Sequence, residues 1–274
     1  MTMKPAINFM GVRNIAFAIT IILTVVSLGS LVFKGLNFGL DFTGGTLIEL
    51  NYAKPIQPEL VREQLRAAGY GDAQVQSFGA TTDILVRLAG DDPQLGNKVA
   101  QALEVQGGDN KLTISRVEFV GPAVGEELRD QGGLGMLLAM AGIMLYVAFR
   151  FQWKFGAGAI VALFHDVILT LGVFSFFQIS FDLSVLAAAL AIIGYSLNDT
   201  IVVFDRIREN FRLLRKADLI ENINISTTQT LLRTLATSIS TLLAVAALMF
   251  MGGENLWGFS LALFIGVTAG TYSS

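Results

Sequence analysis

Long uncharged stretches of hydrophobic residues alternate with polar connections along most of this chain. Residues 15–33 form one such run without a charge, and a helix of about 20 residues spans the roughly 30 Å hydrocarbon core of a bilayer. Five further hydrophobic runs follow, at positions 133–149, 155–177, 181–204, 231–251 and 256–274. The pattern therefore predicts a polytopic α-helical membrane protein with six transmembrane helices.

The segment between the first two predicted helices has the shorter periods of a water-soluble domain. Ile48, Leu50 and Tyr52 alternate with polar residues, as in a strand with one buried face. Pro58 then begins a helical pattern that Gly69 ends. Two alternating runs, a second helical pattern and a last alternating run follow. The order βαββαβ predicts one ferredoxin-like α+β domain.

Together these patterns divide the chain into three parts. Residues 1–34 hold the N-terminus and the first helix, residues 35–131 hold the ferredoxin-like domain, and residues 132–274 hold helices two to six. The last hydrophobic run reaches the final residue, and we therefore expect the sixth helix to be truncated.

Basic residues are distributed unevenly over the short loops, which predicts the orientation because lysine and arginine favour the cytoplasmic side. The predicted loops on the opposite side, QISFD and GGEN, contain none. The other side carries Lys4, Arg13, Arg150, Lys154, Arg206, Arg208, Arg212, Arg215 and Lys216. We therefore expect both termini to be cytoplasmic and residues 35–131 to be extracytoplasmic.

Composition excludes several classes of function. Hydrophobic residues make up 53% of the chain and charged residues 15%, and the chain has no cysteine and one histidine. It therefore offers no disulfide framework, no thiol nucleophile and no thiolate metal site, and a single histidine leaves little for a zinc site. The segment 35–131 carries an excess of acidic residues, which disfavours nucleic acid as a partner. We expect no enzymatic activity and no cofactor.

Four ionisable residues interrupt the hydrophobic runs, namely His165, Asp166, Asp199 and Arg233. Each costs several kcal/mol in a membrane unless it is paired, hydrated or functional. Asp199 and Arg233 lie on consecutive antiparallel helices near the cytoplasmic side, where they could pair. One hypothesis is a static salt bridge, with Asn198 and Ser196 as hydrogen-bonding neighbours. The other is that Asp199 binds and releases a proton in a relay with Arg233, in which membership of Asn198 stays open.

His165 and Asp166 are adjacent in the middle of the third predicted helix. We interpret them first as polar residues packed at mid-membrane, and membership of the proton relay stays open.

Glycines cluster where the first and second helices join the soluble segment. They are Gly39, Gly44 and Gly45 in GLDFTGGT and Gly121 and Gly125 in VGPAVG. Glycine permits backbone conformations that other residues resist. The first motif lacks the Gly-Lys-Ser/Thr ending of a phosphate loop, so residue chemistry alone favours a structural turn. We expect these five glycines to act as hinges between membrane and soluble parts.

Four blocks of this sequence resemble the signature blocks of the SecD/SecF family and of its SecF branch, within the resistance-nodulation-division superfamily. They are GLDFTGGT, RVEFVGPAVGEEL, ALFHDVILTLG and GYSLNDTIVVFDRIREN. In that family the aspartate of the NDT motif and the arginine of the RTLxTS segment are linked to proton conduction. These positions are Asp199 and Arg233 here.

The resemblance implies an auxiliary subunit of the Sec protein-export machinery in the bacterial cytoplasmic (inner) membrane, driven by the proton motive force. It implies SecD, the SecYEG channel, YajC, the translocating preprotein and membrane lipid as partners. Without it, six helices and an intramembrane acid leave two other hypotheses open, half of a proton-coupled exporter of small molecules or lipids, and a passive scaffold.

Overall fold

The computed structural model describes residues 6–90, 92, 94–106, 110–150, 153–214 and 217–274. Three of the basic residues used to predict the orientation, Lys4, Arg215 and Lys216, lie outside the described residues.

Helices and strands of the described residues follow in chain order. The helices are α1 Arg13–Phe33, α2 Leu40–Thr43, α3 Pro58–Ala67, α4 Leu95–Gln106, α5 Pro122–Arg150, α6 Trp153–Phe177, α7 Leu183–Leu213, α8 Leu219–Met251 and α9 Glu254–Ser273. The strands are β1 Asn37–Phe38, β2 Gly45–Tyr52, β3 Gln74–Phe78, β4 Ala80–Leu88, β5 Leu112–Val120 and β6 Ser180–Phe181.

Two compact units divide the chain. The soluble unit is Phe38–Leu134, and the membrane unit comprises the chain up to Asn37 together with Gly135–Ser274. Each unit has its own core. The helix α5 contributes its first half to the soluble unit and its second half to the membrane unit.

The soluble unit is an antiparallel four-stranded sheet in the order β3-β4-β2-β5. Together with the element order βαββαβ, this strand order is the ferredoxin-like arrangement, and the predicted fold class is confirmed. Alternate residues of β2 face the helices and are almost completely buried, as Ile48, Leu50 and Tyr52 are. Burial of apolar side chains on this face is what holds the sheet against α3 and α4.

The membrane unit contains the six predicted spanning helices, which are α1 and α5 to α9. Three of them are clearly longer than predicted, and α5 begins at Pro122 although its hydrophobic run begins at 133. The helix α7 continues to Leu213 and α8 already begins at Leu219, whereas the hydrophobic runs suggested 204 and 231. The extra turns are rich in polar residues, so they form helix without the hydrophobic signal of a membrane span.

Small residues let the spanning helices approach closely, as expected in membranes. A Cβ atom built on Gly172 of α6 would collide with Ser27 of α1, and one built on Gly266 of α9 would collide with Ile192 of α7. The helix α7 packs against α6, α8 and α9 and is the central helix of the unit. This position is what brings the polar residues of α7 next to those of three other helices.

Candidate functional site

Asp199 is an acid in the interior of the membrane unit. It lies on α7, its side chain is 3% exposed, and its Oδ2 atom has no hydrogen-bond partner among the described residues. A buried carboxylate that lacks a partner is expensive, because its charge is removed from water without compensation. Taking up a proton removes this charge and so lowers the cost of burying the group in the membrane.

Arg233 lies level with Asp199 along the helix axis. Asp199 precedes the end of α7 at Leu213 by 14 residues, and Arg233 follows the start of α8 at Leu219 by 14 residues. At 1.5 Å per residue both positions are about 21 Å from the ends of these antiparallel helices. A hydrogen bond of 3.4 Å from Tyr195 Oη to Ser238 Oγ shows the same register.

The two charged groups do not form an ion pair in this structure. Among the described residues, Arg233 acts on Asp199 only by electrostatic attraction, without a hydrogen bond. Arg233 is exposed on the surface of the chain, whereas Thr234 and Ser238 on the opposite side of α8 are buried. The hypothesis of a static salt bridge therefore has no direct contact to support it in this conformation.

An exposed polar face surrounds Arg233. Ser240 on α8 and Asn198 on α7 are also exposed, and Thr237 is half-buried. Polar groups facing lipid are costly, so such a face is normally covered by another protein segment or lines a hydrated path.

His165 and Asp166 lie at the centre of α6 and belong to a hydrogen-bonded cluster on three helices. His165 Nδ1 lies 2.9 Å from Asp166 Oδ1. Ser196 Oγ of α7 and Ser273 Oγ of α9 both donate to Asp166 Oδ2, at 2.5 Å and 2.8 Å. Asp166 is 0% exposed and His165 is 7% exposed. We call these four residues the Asp166 cluster.

The structure thus separates the predicted relay residues into two places. Asp199 and Arg233 are at the level where α7 and α8 meet, with Asn198 exposed beside them, and His165 and Asp166 are in the Asp166 cluster. Ser196 of α7 belongs to the Asp166 cluster and precedes Asp199 by three residues. Sequence reasoning missed Ser273, since a single serine near a helix end has no periodic signal.

The predicted hinge glycines differ in their surroundings. Gly44 and Gly45 have φ values of 68° and 113°, in the region that favours glycine. A Cβ on Gly44 would lie 2.6 Å from Pro122 Cα, and one on Gly125 would lie 2.7 Å from Gly44 N. Gly39 has an ordinary φ of −67°, and Gly121 has open space beside it. Gly44, Gly45 and Gly125 are therefore close-packed, and we call these three residues the joint. The role of the five glycines as hinges stays a prediction.

Arg87 on β4 holds this glycine segment against the sheet. Its two terminal nitrogens donate to Phe38 O, each at 2.9 Å, and Nη2 also donates to Thr43 Oγ1. Burial lowers the pKa of Arg87 and the Asp41 carboxylate opposes that change, so the guanidinium stays charged. The sequence patterns did not reveal this contact.

The C-terminal end of α1 is fastened to the C-terminal end of α6. Ser30 Oγ and Ser175 Oγ lie 2.9 Å apart, and Ser175 also donates to Gly35 O at 2.7 Å. Lys34 Nζ donates to Phe176 O at 3.0 Å, and Asn37 Nδ2 to Gln178 O at 2.9 Å. The helix that carries His165 and Asp166 is thereby bonded to the helix that leads into the soluble unit.

Comparison with known families gives two matches. Residues 99–274 match the family described as protein export membrane protein SecD/SecF, C-terminal, and residues 29–56 match the SecD/SecF GG motif. The second match covers Gly39, Gly44 and Gly45, and the first covers every predicted relay residue.

Individual relatives give the same assignment. The chain is 69% identical over 268 residues to the protein translocase subunit SecF of Pseudomonas aeruginosa, covering 98% of this chain and 88% of that protein. It is 44% identical over 275 residues to the SecF subunit of Escherichia coli O157:H7, covering 99% and 85%.

Solved structures agree with the sequence matches. The crystal structure of SecDF from Thermus thermophilus, described as a translocon-associated membrane protein, has a TM-score of 0.90 and 40% identity. It matches 100% of this chain, which in turn spans 38% of that protein. A multi-pass architecture and the GG motif are therefore shared features, and the chain belongs to the SecF branch of the SecD/SecF family.

Proposed function

We propose that this chain is an auxiliary subunit of the Sec machinery, which acts with SecD and uses the proton motive force to complete the translocation of proteins across the bacterial cytoplasmic membrane. The observation that carries the proposal is Asp199, an acid buried in a membrane unit with an unpartnered carboxylate oxygen and with Arg233 level but not in contact. The identity with SecF subunits supports it.

Asp199 is the proton carrier in this proposal. Protonation removes its negative charge and with it the attraction to Arg233, and deprotonation restores that attraction. The two states favour different separations of α7 and α8 at this level. A membrane potential supplies about 2.3 kcal/mol per charge per 100 mV, which is enough to change the population of two such states.

Movement of the spanning helices reaches the soluble unit through the chain itself. The helix α1 leads into the segment that Arg87 fastens to β4, and α5 continues without interruption from Pro122 into the membrane. Protein emerging on the extracytoplasmic side would be held or pulled by the soluble unit. The proposal involves no bond-making chemistry, no enzyme activity and no cofactor besides the proton gradient.

Partners and location follow from the same proposal. We place SecD against the exposed polar face around Arg233, because a charged face within a membrane needs another protein segment to shield it from lipid. SecYEG, YajC and the translocating preprotein are the further partners we propose, within the bacterial inner membrane and with both termini cytoplasmic.

The test is a pair of substitutions that separates a proton carrier from a structural charge pair. Asp199→Asn preserves size and hydrogen bonding but cannot change charge. We expect lost proton-driven export with the protein still inserted and bound to SecD. If the two charges only stabilise the fold through their mutual attraction, removing the charge of Asp199 should lower abundance.

The double variant Asp199→Asn with Arg233→Leu then decides between them. If Asp199 is a proton carrier, the double variant should keep normal abundance and still fail to export, whereas a structural pair should regain both abundance and export. Asp205→Asn is the matched control, since it makes the same change on the same helix at an exposed acid bonded to Arg150. Export by the double variant at the wild-type rate, measured in membrane vesicles with SecD present, would refute the proposal.

A further inference from the structure

The Asp166 cluster is the strongest feature of the membrane unit that the proposed function leaves without a role. Its carboxylate accepts hydrogen bonds from two other helices and contacts the adjacent imidazole. The cluster joins α6 to α7 and α9 through side chains alone. Any change in its charge therefore acts on the contact between these three helices.

One of the two ring nitrogens of His165 in the Asp166 cluster is available to bind a proton. His165 Nδ1 is engaged with Asp166, and Nε2 is buried without a hydrogen-bond partner among the described residues. A neutral imidazole that donates from Nδ1 has a lone pair at Nε2, which is where a proton would bind.

The charge of the cluster depends on that proton. With a neutral imidazole and an ionised Asp166, the net charge is −1 at the centre of a spanning helix. One proton on Nε2 gives an imidazolium beside a carboxylate, with net charge zero and all three contacts of Asp166 retained. Burial of an unbalanced charge is costly, whereas a neutral hydrogen-bonded pair is tolerated.

Charged groups on the neighbouring helices do not balance the cluster. In the described chain the charged residues of α1, α5 and α9 lie near the helix ends, at Arg13, Glu126–Asp130, Arg150 and Glu254. Tyr272, next to Ser273, donates to Ala16 O. On α7 Asp199 follows Ser196 by three residues and supplies no positive charge, and Arg233 of α8, which is exposed, attracts Asp199.

We propose that His165 and Asp166 form a second proton-binding site, which fastens α6 to α7 and α9 when it holds a proton and releases them when the proton leaves. This rests on the proposed proton-driven function and adds a position where the proton acts mechanically. The proton binds His165 Nε2 and departs from the same atom, and Ser196 and Ser273 transmit its presence. The empty cluster carries one negative charge, needs water, and admits it only when the helices separate.

Release of α6 has a consequence outside the cluster. The end of α6 is bonded to the end of α1 by Ser175 and Lys34, so the two helices move together. Because α1 leads into the glycine segment, this site is placed to convert proton binding into movement of the linker.

Distance measurement between α6 and α9 tests the inference. The chain has no cysteine, so nitroxide labels on Val161→Cys and Thr268→Cys, both exposed, would be the only ones on it. In liposomes containing this chain with SecD, we expect the label separation to increase as the pH rises between about pH 5 and about pH 8. His165→Asn keeps an N–H donor for Asp166 but has no basic nitrogen, and should abolish the transition.

Two further variants make the outcome decisive. Thr170→Val is the matched control, because among the described residues the Thr170 hydroxyl bonds only Asp166 O of its own helix, and the variant should keep the transition. Ser273→Ala should keep the midpoint of the pH transition but reduce the change in label separation. This variant replaces His165→Asn as the test if His165→Asn does not fold. An unchanged transition in His165→Asn, or in Ser273→Ala, would overturn the inference.

Asp199→Asn distinguishes this inference from the proposed function. We expect it to keep the pH-dependent separation while losing export. If it loses the separation as well, the titrating group is Asp199 and the second site does not exist. If it exports normally while His165→Asn loses the transition, the proposed role of Asp199 fails and the Asp166 cluster stands.

Discussion

Gly44 provides the sharpest structural prediction, because the joint around it leaves no space for a side chain. Its φ of 68° and ψ of 179° lie in a region that is almost restricted to glycine. We predict that Gly44→Ala destabilises the soluble unit. Gly121→Ala is the matched control, because a Cβ there meets no atom within 4 Å and its φ is not in the left-handed region.

The magnitude follows from two independent costs. Placing alanine in this backbone conformation costs roughly 1–3 kcal/mol. The new Cβ would also lie 2.6 Å from Pro122 Cα, and overpacking of this kind costs about 1–3 kcal/mol more. The total is at least about 2 kcal/mol, and a domain of this size shifts its melting temperature by about 4–8 °C per kcal/mol. We therefore expect a decrease of about 8 °C or more.

Thiol labelling during heating measures this shift in the intact chain. Ala73→Cys introduces one cysteine in the buried core of the soluble unit, and it becomes reactive only when that unit unfolds. Gly121→Ala should change the transition by no more than about 0.5 kcal/mol. If Gly44→Ala and Gly121→Ala become reactive at the same temperature, the close packing is not what requires glycine at position 44.

Two other predictions concern the soluble unit and the orientation. Burial raises the pKa of Tyr52 to about 12, so its neutral form should contribute stability below the ordinary value of 10.0 and lose that contribution as the pH rises through 12. Because the Tyr52 hydroxyl has no partner among the described residues, Tyr52→Phe should not destabilise the unit in the same labelling assay, and a lower transition would contradict this. For the orientation, Asp72→Cys should react with an impermeant maleimide in intact spheroplasts, and Leu213→Cys only after permeabilisation. The opposite pattern would reverse the proposed orientation.

Hydrophobic periodicity was enough to predict the fold class. Long uncharged runs have few alternatives to spanning helices, and alternation around Ile48 and Leu50 specified which face of β2 is buried. The same reasoning placed Asp199 and Arg233 at similar depth, because consecutive spanning helices are antiparallel. Helix ends were less predictable, since the turns up to Leu213 and from Leu219 are polar and extend past the hydrophobic runs.

Contacts between distant elements were not accessible to sequence reasoning. Ser273 reaches Asp166 only because α6, α7 and α9 pack with one particular register, and no local pattern encodes that register. Arg87 resembled an ordinary exposed strand residue, yet it holds the carbonyl of Phe38. The missing contact between Asp199 and Arg233 also depends on side-chain direction around α8, which depth alone does not specify.

Where the chain can bend between its two units is restricted by these same contacts. Asn37 is bonded to Gln178 in the membrane unit, and Phe38 is bonded to Arg87 in the soluble unit. The second crossing is the continuous helix α5, whose boundary between the units is at Leu134 and Gly135. Gly133 and Gly135 have open space beside them, and glycine weakens a helix by about 1 kcal/mol per residue relative to alanine. Because Gly44 and Gly125 are close-packed, we expect the chain to bend at Gly133 and Gly135 in α5 rather than at the joint.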